Sequence, residues 1–291
     1  VPVRVRLVFT MISAALGWWL LDGRLAYLDF APLDPLLRSQ VWAAFGMTLI
    51  AVSGVANAVN IVDGCNGLSS FVSMVALAAL AVVGLRVGDG FVTLAATVGV
   101  AALFGFFVWN FPMGRIFMGD AGAYLTGFYI AELSILLVRH NPQVSPWFPM
   151  LVMAYPVWET LYSMYRRAFV HGSSIGRADS LHLHQLIYYR LVRVFRHSSE
   201  QSEQATRSSV TSAYLWVVCL MCAVPAVLFW DNSTVLKGFC IVLIGSYIVL
   251  HTSLVRFRSP RLLILRNWPF GRTAEEPEAA GEPEAARESE S

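Results

Sequence analysis

The residues able to do chemistry fall into three short stretches. The first is Asn57-Ala-Val-Asn60-Ile-Val-Asp63-Gly64-Cys65-Asn66-Gly67-Leu68. Asn57 and Asn60 stand three apart and share a face if the segment is helical. Asp63 follows beside Gly64 in an expected turn. Helix capping explains one or two such residues, because Asn and Asp start helices and Gly ends them. Capping does not require so many together. The second stretch is Asn110-Phe-Pro112-Met-Gly114-Arg115-Ile-Phe-Met-Gly119-Asp120-Ala-Gly122. Asp120 either caps the helix that follows or holds a hard cation. Magnesium takes oxygen ligands, often one or two carboxylates plus substrate phosphates. Glycines on both sides let a phosphate approach the backbone.

The third stretch contains Glu159, Arg166, Arg167, His171, Gly172, Arg177, Asp179, His182 and His184. Arg pairs bidentately with phosphate oxygens, and His can donate to them. For Arg166 and Arg167 the simpler role is anchoring at a membrane edge. His182 and His184 could equally be an exposed loop pair. His-x-His can bind zinc, but no cysteine lies nearby, so a structural zinc site is not expected. Together the stretches supply Asp and Asn for a divalent cation, Arg and His for a diphosphate, and glycines for close approach. Phosphoryl transfer needs that equipment, being mostly positioning and charge neutralisation.

The elements that must position these residues follow from composition. Of 291 residues, 56% are hydrophobic and 14% charged, against about 25% charged in a soluble domain. Runs of about 18 or more apolar residues read as membrane spans. The candidates are Val5–Leu21, Val41–Val59, Leu68–Leu85, Phe91–Trp109, Gly122–Val138, Trp147–Tyr165, Thr211–Trp230 and Gly238–Leu254. Membrane strands would need short alternating segments instead. The expected fold is therefore all-α, a polytopic membrane bundle of about eight transmembrane helices. Arg4 and Arg6, the basic run Arg166–Arg207, and Arg256–Arg266 then lie on one side, which the positive-inside rule makes the cytoplasm. Both ends are expected there. The loops 60–67, 110–121 and 166–209 share that side and hold all three stretches. Glu132 and Glu159 are the main acidic residues within spans.

The expected organisation is a transferase domain over 1–260, an interfacial segment 261–270 and a disordered acidic tail 271–291. His197–Ser209, rich in Ser and Gln, is expected to be a mobile loop. Cys65, Cys219, Cys222 and Cys240 suggest neither disulfide nor zinc. The chain opens on Val1 with no signal-peptide pattern, so a preceding segment is expected.

Asn57–Leu68 resembles the Asn-x-x-Asn-x-x-Asp-Gly-x-Asp/Asn-Gly-Leu signature of the polyprenyl-phosphate N-acetylhexosamine-1-phosphate transferases. Ile116–Gly122 resembles that family's Phe-Met-Gly-Asp-x-Gly loop. Arg166-Arg167 through Asp179-Ser-Leu-His182-Leu-His184-Gln185 is similar to its Arg-Arg … Asp-Arg-x-His-x-His-His segment. The resemblance runs from Arg4 to about Arg193. It implies that Asn60 and Asp120 are metal ligands, for magnesium (Mg2+) or manganese (Mn2+) in its place. It implies catalytic carboxylates at Asp63 and Asp120. Asn66 matches a position that contacts the uracil ring. Arg177, His182 and His184 would face the diphosphate or sugar, with Asn57, Asn110 and Asp179 completing the substrate-binding set.

The implied reaction moves an N-acetylhexosamine 1-phosphate from a UDP-sugar to undecaprenyl (polyprenyl) phosphate, releasing UMP and starting a cell-surface glycan such as O-antigen. The implied setting is the bacterial inner membrane, with the site on its cytoplasmic face. No nucleic-acid partner is expected, and a homodimer is compatible. The family also carries adjacent aspartates before the stretch that Val1–Leu7 resembles, and these would belong to the preceding segment. Asn66 replaces the commoner Asp, Gln185 the last His, and Ser180 an Arg, which leaves the sugar open. Two other readings compete: an inactive lipid-binding relative and a transporter. A transporter would want ionisable groups or broken helices near mid-membrane.

Overall fold

The computed structural model describes residues 3–170, 182–190, 192 and 200–256. Helices α1 (Val3–Leu20), α2 (Asp34–Ser39), α3 (Val41–Val62), α4 (Leu68–Val87), α5 (Gly90–Asn110) and α6 (Gly119–His140) come first. Then come α7 (Trp147–Val152), α8 (Ala154–Tyr165), a π-helical turn over Arg166–Val170, α9 (Leu183–Arg190), α10 (Glu200–Leu228) and α11 (Ser233–Val255). No strand occurs among the described residues. The polar signals sit at the helix ends. Asp89 caps α5 by accepting from Val92 N at 3.0 Å, and Asn232 caps α11 from Val235 N at 3.2 Å.

Six helices among the described residues are long and apolar enough to cross a membrane: α3, α4, α5, α6, Glu203–Leu228 of α10, and α11. The chain is accordingly a multi-pass membrane protein. The expected span Trp147–Tyr165 is not one helix. It breaks at Met153 between α7 and α8. Pro156 has no N–H to offer the carbonyl a turn earlier and is tolerated only in the first turn of a helix, where it sits in α8. The expected mobile loop His197–Ser209 also needs correction, because Glu200–Ser209 is the opening of α10. An Arg207–Glu203 ion pair at 2.7 Å, one turn apart, supports that opening. The segments 261–270 and 271–291 lie outside the described residues.

In lipid, apolar surface alone does not draw helices together; close packing does. The α3–α6 contact shows how close. A Cβ added at Gly127 would lie 2.6 Å from Ala56 Cα. Leu77 and Leu80 of α4, Ile130 and Leu137 of α6, and Phe148 and Leu151 of the α7 region form the core, each at most 1% exposed. This packing fixes the spacing of the α3 C-terminus and the α6 N-terminus, where the site begins.

Candidate functional site

The described residues of the first and second polar stretches, with His182 and His184 of the third, meet at one end of the bundle. Asn60, in the last turn of α3, donates its Nδ2 to Asp120 Oδ1 at 2.9 Å. Asp120 lies in the first turn of α6, where the helix dipole favours a carboxylate. Its other oxygen accepts from Arg6 Nη1 at 2.9 Å, so α1 joins the same cluster. The Asp120 side chain is 59% exposed and open to a ligand. One turn before Asn60, Asn57 Oδ1 accepts from the Tyr124 hydroxyl at 3.2 Å.

Asp63 is the C-cap of α3 and accepts from Ser69 Oγ in the first turn of α4. Burial pushes its carboxyl above the usual range, helped by the charge on Asp120 and opposed by the Ser69 bond. Asp63 and Asp120 therefore sense each other. Their neighbour Cys65 is pushed up to about 12 by burial and remains a thiol.

Asn66 and Asn110 are spent on architecture. Asn110 Oδ1 accepts from Gly67 N at 2.5 Å while its Nδ2 donates to Ile116 O at 2.7 Å, stitching the first stretch to the second. Asn66 Nδ2 donates to Pro112 O at 3.0 Å. Gly114 packs on that amide: a Cβ there would fall 2.7 Å from Asn66 Oδ1, and its φ of +62° suits glycine. Helix α10 then clamps both loops. Ser209 Oγ donates to Pro112 O at 2.7 Å, Ser212 Oγ to Asn66 O at 2.7 Å, and Trp216 Nε1 to Gly67 O at 3.2 Å. Sequence reasoning missed this clamp, although Ser208, Ser209 and Ser212 at helical spacing ahead of an apolar run were its signal.

The third stretch arrives through α9. His182 and His184 rings stack with centroids 5.6 Å apart and planes 5° from parallel. His184 rests on Gly64, where an added Cβ would fall 2.4 Å from its Nε2. Burial holds His184 down to about 4, so its ring is neutral. Arg166, 6% exposed, has Nη1 2.7 Å from His251 Nε2, which ties the start of the π turn to α11. Arg177 and Asp179 lie outside the described residues. Glu132 is buried on α6 beside Gly17 and Gly23, with no hydrogen-bond partner among the described residues.

Below Asp120 a cavity of about 430 Å³ opens between α1 and α6. Arg6 and Asp120 line its head, and Phe9, Tyr124, Leu125 and Phe128 its apolar flank. A charged head over an apolar flank suits an amphiphile. No group of three or more metal-ligating His, Cys, Asp or Glu side chains occurs among the described residues. The oxygens of Asp120, Asn60 and Asp63 form a sparser set. It fits a cation that draws its remaining ligands from water and substrate phosphates.

Residues 1–138 match the family model described as glycosyl transferase family 4. That stretch is a little under half of the chain, and over it the chain is similar to this family. The family 4 region contains Asn57, Asn60, Asp63, Asn66, Asn110 and Asp120 and stops before α8, α9 and α10. A "Probable undecaprenyl-phosphate N-acetylglucosaminyl 1-phosphate transferase" of Bacillus subtilis (strain 168) is 31% identical over 49% of this chain and 40% of its own length. A "Decaprenyl-phosphate N-acetylglucosaminephosphotransferase" of Mycolicibacterium smegmatis is 28% identical over 48% of this chain and 35% of its own length. A "Phospho-N-acetylmuramoyl-pentapeptide-transferase" of Lactococcus lactis subsp. cremoris (strain MG1363) is 38% identical over 29% of this chain and 25% of its own length. The chain thus spans two fifths or less of the length of these relatives.

Proposed function

We propose that the protein transfers an N-acetylhexosamine 1-phosphate from a UDP-sugar to a polyprenyl phosphate. The observation that carries this reading is the cavity headed by Arg6 and Asp120 and flanked by apolar residues. It offers a cation and a metal-binding carboxylate to a phosphate, and a greasy wall to the chain behind it. The names of the relatives point to a polyprenyl phosphate and an N-acetylglucosamine phosphate, and the UDP carrier of the sugar is part of the proposal. A carrier phosphate oxygen attacks the β-phosphorus of the UDP-sugar, the bond from that phosphorus to the bridging oxygen breaks, and UMP leaves.

In this reading Asp120 and Asn60 hold Mg2+, with Mn2+ able to replace it. Asp63 supplies a second carboxylate toward the same phosphates. The bound cation would neutralise diphosphate charge in the transition state. Asn60 would turn its amide oxygen toward the ion, a rotation that exchanges two nearly isosteric atoms. Arg6 neutralises the carrier phosphate. Asn66 and Asn110 act on the nucleotide side through the loop shape they hold, with Asn57 on the α3 face behind them. His182, His184, Arg177 and Asp179 face the diphosphate and sugar. The wider setting is a bacterial inner membrane with the polar loops in the cytoplasm. About eight spans are reached by counting α1 and the α7–α8 pair, and both ends are cytoplasmic.

The test is transfer in membranes carrying the full-length protein, with radiolabelled UDP-N-acetylglucosamine, undecaprenyl phosphate and magnesium. Chelator-sensitive label in the lipid phase with UMP release is expected, and Asp120→Ala should lower it by about a hundredfold or more, as losing a charge-stabilising group does. No transfer from any UDP-N-acetylhexosamine would overturn the reading in favour of a lipid-binding relative without activity. Full activity in Asp120→Ala would remove the metal assignment.

A further inference from the structure

Glu159 lies beyond the family 4 region and has no part in the chemistry above. It sits on α8, 1% exposed. Its Oε1 accepts from His182 Nδ1 and from Leu183 N, each at 3.0 Å. Its Oε2 accepts from the Tyr247 hydroxyl of α11 at 2.7 Å. A carboxyl sealed from water is costly unless satisfied, and here three donors from two other parts of the chain satisfy it. The arrangement also dictates a tautomer. With a carboxylate oxygen at Nδ1, the His182 proton sits on Nδ1 and Nε2 is the ring's other polar atom. From His182 the contact continues through the stacked ring of His184 to Gly64, the neighbour of Asp63.

We propose that Glu159 is a positioning residue of the transfer site. It holds His182 in its Nδ1–H tautomer, ties the first residue of α9 to α8, and so presents the histidine pair to the diphosphate bound over Asp63. The proposal rests on the transferase reading. Glu159 itself touches no substrate, and Tyr247 steadies it from the far side.

The experiment compares Glu159→Gln, His182→Ala and the double variant in membranes carrying the full-length protein. Glu159→Gln should lower kcat by about tenfold or more, the usual cost of losing a partner that orients an active-site imidazole. KM for the UDP-sugar should change less than about twofold, since that binding is shared by many groups. The double variant should be no slower than His182→Ala alone, because Glu159 acts through His182. A purely structural role would make the two losses multiply. Wild-type kcat in Glu159→Gln, or losses that multiply, would overturn the proposal. If Glu159→Gln fails to accumulate in membranes, Tyr247→Phe carries the same comparison.

A second readout does not depend on turnover. The 15N shifts of His182 in histidine-labelled protein, assigned with His182→Ala, should report Nδ1–H in the wild type and a tautomer mixture in Glu159→Ala, which leaves no oxygen acceptor at Nδ1. An unchanged tautomer would overturn the proposal. A lost tautomer preference in a protein whose wild type transfers no sugar would uphold the positioning of His182 and overturn the transferase reading alone.

Discussion

Gly64 shows how tightly single residues are set at this site. Its backbone carries the ring of His184, and a methyl group there would press within 2.4 Å of Nε2. Gly64→Ala should therefore lower transfer by about tenfold, since a displacement of about an ångström among positioned groups costs that much or more. The melting temperature should fall little, because Gly64 itself is exposed and the helices around it are untouched. Parallel activity and thermal-melt measurements separate the two. His184 also makes a pH prediction. Burial holds it at about 4 against an ordinary 6.5. Between those values the unfolded chain binds a proton that the folded chain does not. Stability should thus be full above about pH 6.5 and decline as pH falls toward 4. Melting temperatures in that window should flatten in His184→Asn, and an unchanged slope would place the acid sensitivity elsewhere. The types of these residues were legible in the sequence. Their employment was not, because Asn66 and Asn110 turn inward to backbone atoms brought close only by the fold. Arg6 entered the sequence reading only as a basic charge on the cytoplasmic side, because nothing local links it to Asp120, 114 positions away.

Helices act as the callipers of the site. Asn60 and Asp120 meet because α3 and α6 touch backbone to backbone at Ala56 and Gly127. Gly127 lies about two turns, or roughly 10 Å, along α6 from Asp120. Gly127→Leu should still reach the site by wedging the two helices apart. Overpacking of this kind costs about 1–3 kcal/mol, and transfer should fall with it. A normal melting temperature would mean that α6 can shift away freely, and normal activity would mean that the Asn60–Asp120 contact is dispensable. The spans were legible because long apolar runs bounded by polar residues are stable mainly as helices in lipid. The break at Met153 was signalled by Pro149 and Pro156, yet hydropathy outweighs two prolines when a run is judged by length alone. The extension of α10 back to Glu200 was hidden for the opposite reason. Its first turns are polar, and their serines find partners on loops far away in sequence.

At the scale of the whole molecule, the family 4 region and the site are not the same object. Residues 1–138 bring the carboxylates, while α8, α9 and α10 bring the histidine pair and the clamp. A polypeptide ending at His140 should show no transfer above the chelated background, even where it inserts into membranes. Activity in that fragment would make the later helices accessory. The clamp reaches backward along the chain. Asn66 O, Gly67 O and Pro112 O each take a bond from a side chain that follows them by about a hundred residues or more. During synthesis, α3 to α6 leave the ribosome before any of those donors exists. Until Ser209, Ser212 and Trp216 emerge, those three carbonyls have only water or their own loops to bond. The growing chain carries its carboxylates early and gains the clamp only once α10 has been made.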